Sequence, residues 1–473
     1  MMQQKLPRLL LAGVSSGSGK TTLTCALLRA WQRRGRRLLS MKCGPDYIDP
    51  MFHRRVLGVP AGNLDLFFSG EQQVRQLLGD AACRRKAELV LLEGAMGYYD
   101  GLGNTTRASA WQMACATETP AVLVVNCRGM GISVLAVIRG FLDYCPQNRL
   151  RGVIFNQLSA ARYPQLRRQL WEELGLEAAG YFPPRPDLAL GSRHLGLVTA
   201  GEIQDLEQRL DALADQAETS LELDRLAEWA AEAPALCWEP LPPEPSCAPV
   251  TIAVAQDEVF CFYYDENLAM LERMGAQLRP FSPRRDSVLP SGTQGLYLGG
   301  GYPELYAREL EENTSLRREI RDSIQAGMPC IAECGGFQYL QQQLVGEDGG
   351  TYAMCGVLPG KSWPTGKLCR FGYVDVILKK DCLLGPAGMR FPAHEFHYWD
   401  SSKSGEKITA MKPDKSRSWK CVRIEGALFA GYPHLYMPSC PQFAQRFVEQ
   451  CRIWRKKEEK KEEKETYVSR KGK

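Results

Sequence analysis

Short apolar runs recur through the first half of the chain: LPRLLLAGV, AELVLLEGA, PAVLVVNC and RGVIFNQL. They are near-continuous, not alternating. Helix-compatible stretches such as TTLTCALLRAWQRRG lie between them. A strand that is apolar on both faces must be covered on both, and a helical crossover between successive strands makes them parallel. The chain is therefore expected to be α/β, built on a parallel sheet between helices. From Ala233 to Val250 the texture changes to APALCWEPLPPEPSCAPV, whose prolines suit a semi-rigid linker. The alternation then restarts with VTIAVAQD. NLAMLERMGAQL places Leu268, Leu271 and Met274 on one helical face, and QGLYLGGG and PCIAEC read as further strands. We expect two α/β domains, at 1–232 and 250–450, joined by a linker over 233–249.

At 473 residues the chain is long for one domain. The net charge of +5 is mostly a tail effect: 455–473 holds nine Lys/Arg and five Glu, which leaves about +1 for the rest. A near-neutral body argues against nucleic acid as the main partner. The tail itself is almost free of apolar residues, so 455–473 is expected to be a charged, solvated extension, disordered or frayed-helical. No apolar stretch is long enough to span a bilayer, and the N-terminus runs straight into a strand-like segment, so neither a membrane partner nor a signal peptide is expected. The cysteines number 17, are scattered and never spaced CxxC, which points to a reducing cytoplasm, not to a disulfide framework or a zinc site.

GVSSGSGKTT follows the first apolar run and precedes a helix. Gly13, Gly17 and Gly19 let backbone amides, with Ser16, turn toward phosphate oxygens. Lys20 supplies a mobile positive charge, Thr21 can ligate Mg²⁺, and Thr22 continues the loop into the helix N-terminus. The residue five before Gly19 is Val14, and the glycine comes one place earlier; this longer loop resembles that of dethiobiotin synthetase. Glu93 ends a buried run and is followed by a glycine-rich loop with Asp100. An acid there sits at the mouth of a parallel sheet, where Mg²⁺ is held. Between them, MKCGPDYIDPMFH gathers Lys42, Asp46, Tyr47, Asp49 and His53. Such a loop can bind a second metal or a polar substrate; a solvated turn is the alternative.

A second chemistry lies in PCIAECGGFQYL. Cys334 falls between a strand and a helix, on an elbow whose helix N-terminus is expected to lower its pKa. Gly335 after it, and Gly300 and Gly301 in LYLGGGYPE, can offer N–H groups to an oxyanion. A thiol acyl-transfer site also needs a base. The histidines are His53, His194, His394, His397 and His434. His434 is favoured, because a late strand end can face the elbow, but spacing leaves His394 and His397 open.

Together SSGSGKTT, KCGPDYIDP, LLEGAMGYYDG, SRHLGLV, FCFYYDENL, LYLGGGYPEL, AECGG and HEFHY resemble the cobyrinic acid a,c-diamide synthase family, over roughly residues 7–450. The resemblance implies a dethiobiotin-synthetase-like P-loop domain fused to a class I glutamine amidotransferase domain. It implies Cys334 as nucleophile and His434 as its base. Lys20, Thr21, Glu93 and the Asp46/Asp49 loop fall on the ATP, Mg²⁺ and substrate side, with Lys42 and Asp100. It further implies a cobyrinate-type tetrapyrrole and L-glutamine as partners, and a homodimer is one assembly to expect. Rival readings are the same chemistry on hydrogenobyrinic acid or nickel-sirohydrochlorin, or a P-loop switch ATPase with a thiol domain that only binds. Tyr436 stands two residues after His434, where class I amidotransferases commonly place a Glu, so the resemblance supplies no residue to orient the base.

Overall fold

Seven parallel strands form the sheet of the first unit, which spans Met1–Pro242 in the computed structural model. Residues 1–145, 147–188, 200–241 and 248–471 are described, with backbone alone over 200–204 and beyond residue 460. His194 and the SRHLGLV segment lie outside the described residues. The strand order is Ala61–Leu64, Leu38–Cys43, Leu89–Glu93, Arg8–Gly13, Ala121–Asn126, Leu150–Asn156 and Glu177–Phe182. Leu9, Leu10 and Leu11 are fully buried, and each such side chain contributes about 1.5–3 kcal/mol. The chain first adds strands on one side of Arg8–Gly13 and later on the other. That reversal opens a crevice at the carboxyl end of Arg8–Gly13, where the phosphate-type loop sits.

Part of the expected linker belongs to this unit. Leu236–Trp238 pairs antiparallel with Met2–Gln4. The Trp238 indole packs where a Cβ on Gly79 would lie and donates to Asp80 Oδ1 at 3.2 Å. Leu236 and Trp238 are buried, and that burial holds this stretch of the expected linker against the unit.

The second unit, Pro243–Lys473, carries a six-stranded sheet. Its order is Ala276–Phe281, Val250–Ala255, Gly295–Leu298, Cys330–Glu333, Leu428–Gly431 and Arg423–Glu425, parallel except for the last strand. On the helix Asp265–Arg273, Leu271 is buried, and Leu268 and Met274 pack against the same core. A five-stranded antiparallel sheet was not anticipated. It pairs Arg370–Leu378 with Arg390–His397, and the latter with His434–Leu435. Its strands alternate: Val374, Val376 and Ala393 enter the core, while Phe371, Tyr373, His394 and Phe396 form the other face.

Of the two forms expected for the tail, the helical one is found. A single helix runs Gln442–Lys471, through most of the charged segment. Its first turns are nucleated by buried Phe443, Phe447, Val448 and Cys451. No Gly or Pro interrupts the charged continuation, and Arg455 pairs with Glu459 one turn on at 3.6 Å. Once nucleated, each further residue costs little.

Candidate active sites

In the first unit the phosphate-type loop is held from both sides. The Ser18 hydroxyl donates to the Ser15 carbonyl at 2.8 Å, and Asn156 Nδ2 donates to the Ser18 carbonyl at 2.8 Å. Gly17 and Gly19 adopt φ of 75° and 92°, which side chains avoid, and a Cβ on Gly19 would overlap the Asn156 amide. A Cβ on Gly13 would lie 2.9 Å from Lys20 Nζ, so glycine there lets the lysine fold back over the loop. Lys20 Nζ donates to the carbonyls of Met96 at 2.5 Å and Ser15 at 3.2 Å. Burial, then the nearby Lys42 charge, brings its pKa down to about 8. Ser16 is exposed and Thr22 half-buried.

The parallel register aligns Leu11, Lys42 and Glu93 across three adjacent strands. Lys42 Nζ therefore reaches Glu93 Oε1 at 2.7 Å and Asp49 Oδ2 at 2.5 Å, forming a buried ionic triad. Burial opposes the Lys42 charge, but Glu93 and Asp49 overcome it and hold its ammonium well above its ordinary range. Asp46 is pushed up to about 7 by burial and then by the Asp49 charge. Thr21 Oγ1 donates to Glu93 Oε1 at 2.8 Å, while the buried Glu93 Oε2 has no hydrogen-bond partner among the described residues. A hydroxyl and an under-satisfied carboxylate at the mouth of a phosphate loop suit Mg²⁺, which takes few protein ligands and completes its shell with phosphate and water. Asp100 accepts from the Gly97 N–H at 2.9 Å and so closes the loop after Glu93. His53 is buried against Ser40 and Cys25, away from solvent.

Among the described residues, Lys42 is the only cation paired with both carboxylates of this triad. Removing one partner of a buried pair leaves charge uncompensated, which typically costs about 3–5 kcal/mol. Lys42→Met is expected to lower the unfolding free energy by about that amount, read from the urea midpoint at constant m. A midpoint matching the parent would show that the triad is not stabilising.

In the second unit three strand ends converge. Register pairs Leu298 with Ala332, and Glu333 with Gly431. Cys334, the Gly299–Gly301 run and His434 thus leave the carboxyl edges of neighbouring parallel strands. Cys334 adopts φ 47°, ψ −103°, a conformation that costs a non-glycine residue about 1–3 kcal/mol. It is held there by Cys334 N–H to the Gly431 carbonyl at 2.8 Å and Gly336 N–H to the Gly299 carbonyl at 2.9 Å. A Cβ on Gly336 would collide with the Leu298 carbonyl, so the elbow closes only with glycine. The Gly335 N–H favours the Cys334 thiolate, and a Cβ on Gly335 would lie 2.9 Å from the Gly301 nitrogen. The His434 ring lies over Gly300: a Cβ there would be 2.5 Å from Cε1 and 3.3 Å from Nε2.

One expectation fails here. The thiol pKa is not lowered. Burial, followed by the Glu304 charge, pushes it well above its ordinary value. The helix Gly335–Leu340 is too short and the site too dry for its N-terminus to compensate. His434 is brought down to about 3 by burial, then by the charges of His394 and His397. The resting pair is therefore neutral thiol and neutral imidazole, and thiolate forms only by proton transfer to a base. His394 faces His434 across the antiparallel pairing, and His397 stacks on Tyr432 with ring centroids 3.8 Å apart. Both are buried in the same neighbourhood.

The chain has relatives that match both halves of this arrangement. Residues 9–198 match the CobQ/CobB/MinD/ParA nucleotide binding domain, and residues 251–440 match the CobB/CobQ-like glutamine amidotransferase domain. The cobyrinate a,c-diamide synthase of Caldanaerobacter subterraneus subsp. tengcongensis is 37% identical over 93% of this chain and 98% of its own. The enzymes of that name from Priestia megaterium and Dehalococcoides mccartyi are 34% and 36% identical, over 95% and 93% of this chain and 98% and 97% of theirs. The chain belongs to the cobyrinate a,c-diamide synthase family. It carries the family's nucleotide-binding and glutamine amidotransferase domains in that order. Within this family member, sequence reasoning missed two side chains at the sites, Asn156 and Glu333. Each closes an apolar run, as Glu93 does, so the same reading of VIFN and CIAE would have found them.

Proposed function

We propose that the enzyme amidates the a and c acetate carboxylates of cobyrinic acid, using ATP and L-glutamine. The observation that carries this reading is a strained thiol elbow, with a buried histidine over the neighbouring Gly300, and a lysine-bearing phosphate loop on one family chain. The two sites answer two needs. Hydroxide is a poor leaving group, so a carboxylate must be activated before ammonia can displace oxygen.

ATP is the co-substrate that activates it. The loop amides and Lys20 hold its phosphates, and the γ-phosphoryl group passes to a substrate carboxylate oxygen, giving an acyl phosphate and ADP. Thr21 and Glu93 would hold Mg²⁺, which when bound neutralises phosphate charge. Asp46, with its raised pKa, is placed to exchange a proton or hydrogen bond with a polar substrate arm; Lys42 and Asp49 keep the Glu93 carboxylate in position. Asp100 shapes the adjoining loop.

At the thiol site His434 takes the Cys334 proton as sulfur attacks the glutamine carboxamide carbon. Amides of Gly335, with Gly300 and Gly301, are the oxyanion donors. Collapse expels ammonia, which takes the proton from His434, and leaves a γ-glutamyl thioester. Water, deprotonated by His434, releases glutamate and restores the thiol. Ammonia attacks the acyl phosphate, giving amide and inorganic phosphate. Two such cycles give the diamide.

Mass spectrometry of cobyrinic acid, hydrogenobyrinic acid and nickel-sirohydrochlorin after incubation with ATP, Mg²⁺ and glutamine tests the assignment. Cobyrinic acid is expected to gain one and then two acid-to-amide exchanges. Turnover confined to either other macrocycle would reassign the substrate, and no exchange on any of them would refute the reading.

A further inference from the structure

Glu333 ends the strand Cys330–Glu333 and directly precedes the nucleophile. Its carboxylate is 2% exposed. Oε1 accepts the Leu435 N–H at 3.0 Å, and Oε2 accepts the Tyr297 hydroxyl at 3.1 Å. Oε2 also lies 3.9 Å from His434 Nδ1. The segment bearing the histidine is fixed by the same group of side chains. Asn267 Nδ2 donates to the Leu435 carbonyl at 2.7 Å and Asn267 Oδ1 accepts the Met437 N–H at 2.7 Å. Asn267 Nδ2 also reaches the Tyr297 hydroxyl at 3.3 Å. Glu333 therefore has a rigid surround, and its Oε2 also faces the imidazole.

Acyl-transfer sites need a group that fixes the tautomer of the base and stabilises its imidazolium. Tyr436, two residues after His434, packs edge-to-face on Tyr264 with centroids 5.2 Å apart and carries no carboxylate. We propose that Glu333 is the positioning residue for His434, its carboxylate taking Nδ1–H so that the unprotonated Nε2 accepts the Cys334 proton. The proton moves from sulfur to Nε2, Nδ1–H stays in place, and the new positive charge faces the carboxylate across less than 4 Å. The separation of 3.9 Å is longer than a hydrogen bond, and such contacts tighten when substrate fills the site. This inference rests on the glutaminase reading above.

Burial pushes the Glu333 pKa up to about 8, against the Leu435 N–H and Tyr297 hydroxyl, which pull it down. The titratable groups facing it are Tyr297, Tyr263, His434 and Cys334. His434 itself is neutral throughout the working range. Ionisation of Glu333 then sets the rise of glutaminase activity with pH.

Glutamine hydrolysis by the full chain is measured from about pH 6 to 9 for the parent, Glu333→Gln and Tyr297→Phe. In Glu333→Gln the amide accepts from Leu435 but donates to Nδ1, which favours the wrong tautomer. The kcat is expected to fall about 10³–10⁴-fold with the KM for glutamine within about threefold. The parent's rise through pH 8 vanishes in this variant, while ammonia-driven amidation persists. A kcat within about threefold of the parent, or an unchanged rise, would overturn the proposal. If Glu333→Gln does not fold, Tyr297→Phe decides: losing the hydroxyl raises the Glu333 pKa and moves the rise to higher pH, and an unmoved rise overturns the proposal. A parent without glutaminase activity would instead refute the functional reading itself.

Discussion

Cys334→Ser is expected to abolish glutamine-driven amidation while ammonia-driven amidation survives. Serine nearly matches cysteine in shape, so the elbow at φ 47° is retained. Its hydroxyl is far less acidic than a thiol, and the resting site already works against ionisation, since burial and Glu304 raise even the thiol. With His434 lowered to about 3, no strong base is present to compensate. Loss of the nucleophile in acyl-transfer enzymes costs on the order of 10⁴ or more in rate. An ammonium salt at mildly alkaline pH bypasses the thiol and restores the diamide. His434→Ala follows the same pattern. Amide product measured with glutamine and with ammonia decides the matter. If folded Cys334→Ser lost both activities together, the division of labour would be wrong; if it kept glutamine-driven turnover, another thiol would be the nucleophile.

Lys20→Ala gives the converse result. Lys20 lies over the phosphate loop, held by the Met96 and Ser15 carbonyls, and nothing in the thioester chemistry uses it. Removing one preorganised positive charge from a developing phosphoryl transition state costs about 10²–10³ in kcat. Amidation should fall by at least that factor with glutamine and with ammonia alike, because both routes need the acyl phosphate. Glutamate release in the absence of ATP should stay near the parental rate. A folded Lys20→Ala protein that had lost its glutaminase activity would show that the two chemistries are not separable.

How far each site could be read in advance differed with the kind of information needed. GVSSGSGKTT and AECGG are local: glycine spacing dictates the turn, and the apolar run before each dictates the strand. Strand and helix alternation likewise determined an α/β chain of two domains. The antiparallel sheet over 370–435 escaped because its strands alternate faces and carry His394, Phe396 and Tyr373 on one of them, so no apolar run marks it. Helix and disorder could not be told apart in the tail, because its stability begins outside it, at Phe443, Phe447 and Cys451. Composition sees only the charges.

The charge states were decided by tertiary structure alone. A cysteine at a helix start reads as acidic in sequence, yet at Cys334 burial and Glu304 win, because desolvation depends on what covers the sulfur. Lys42 and Asp49 read as substrate-facing, but parallel register brings Lys42 level with Glu93 and joins them in a buried triad. Two residues after His434 the sequence offers only Tyr436, which carries no carboxylate. The carboxylate proposed to position His434 belongs to Glu333, about a hundred positions upstream, because adjacent parallel strands bring together residues that the chain keeps far apart. Short-range sequence sets backbone shape and side-chain chemistry; which charge meets which is settled only when the strands are set side by side.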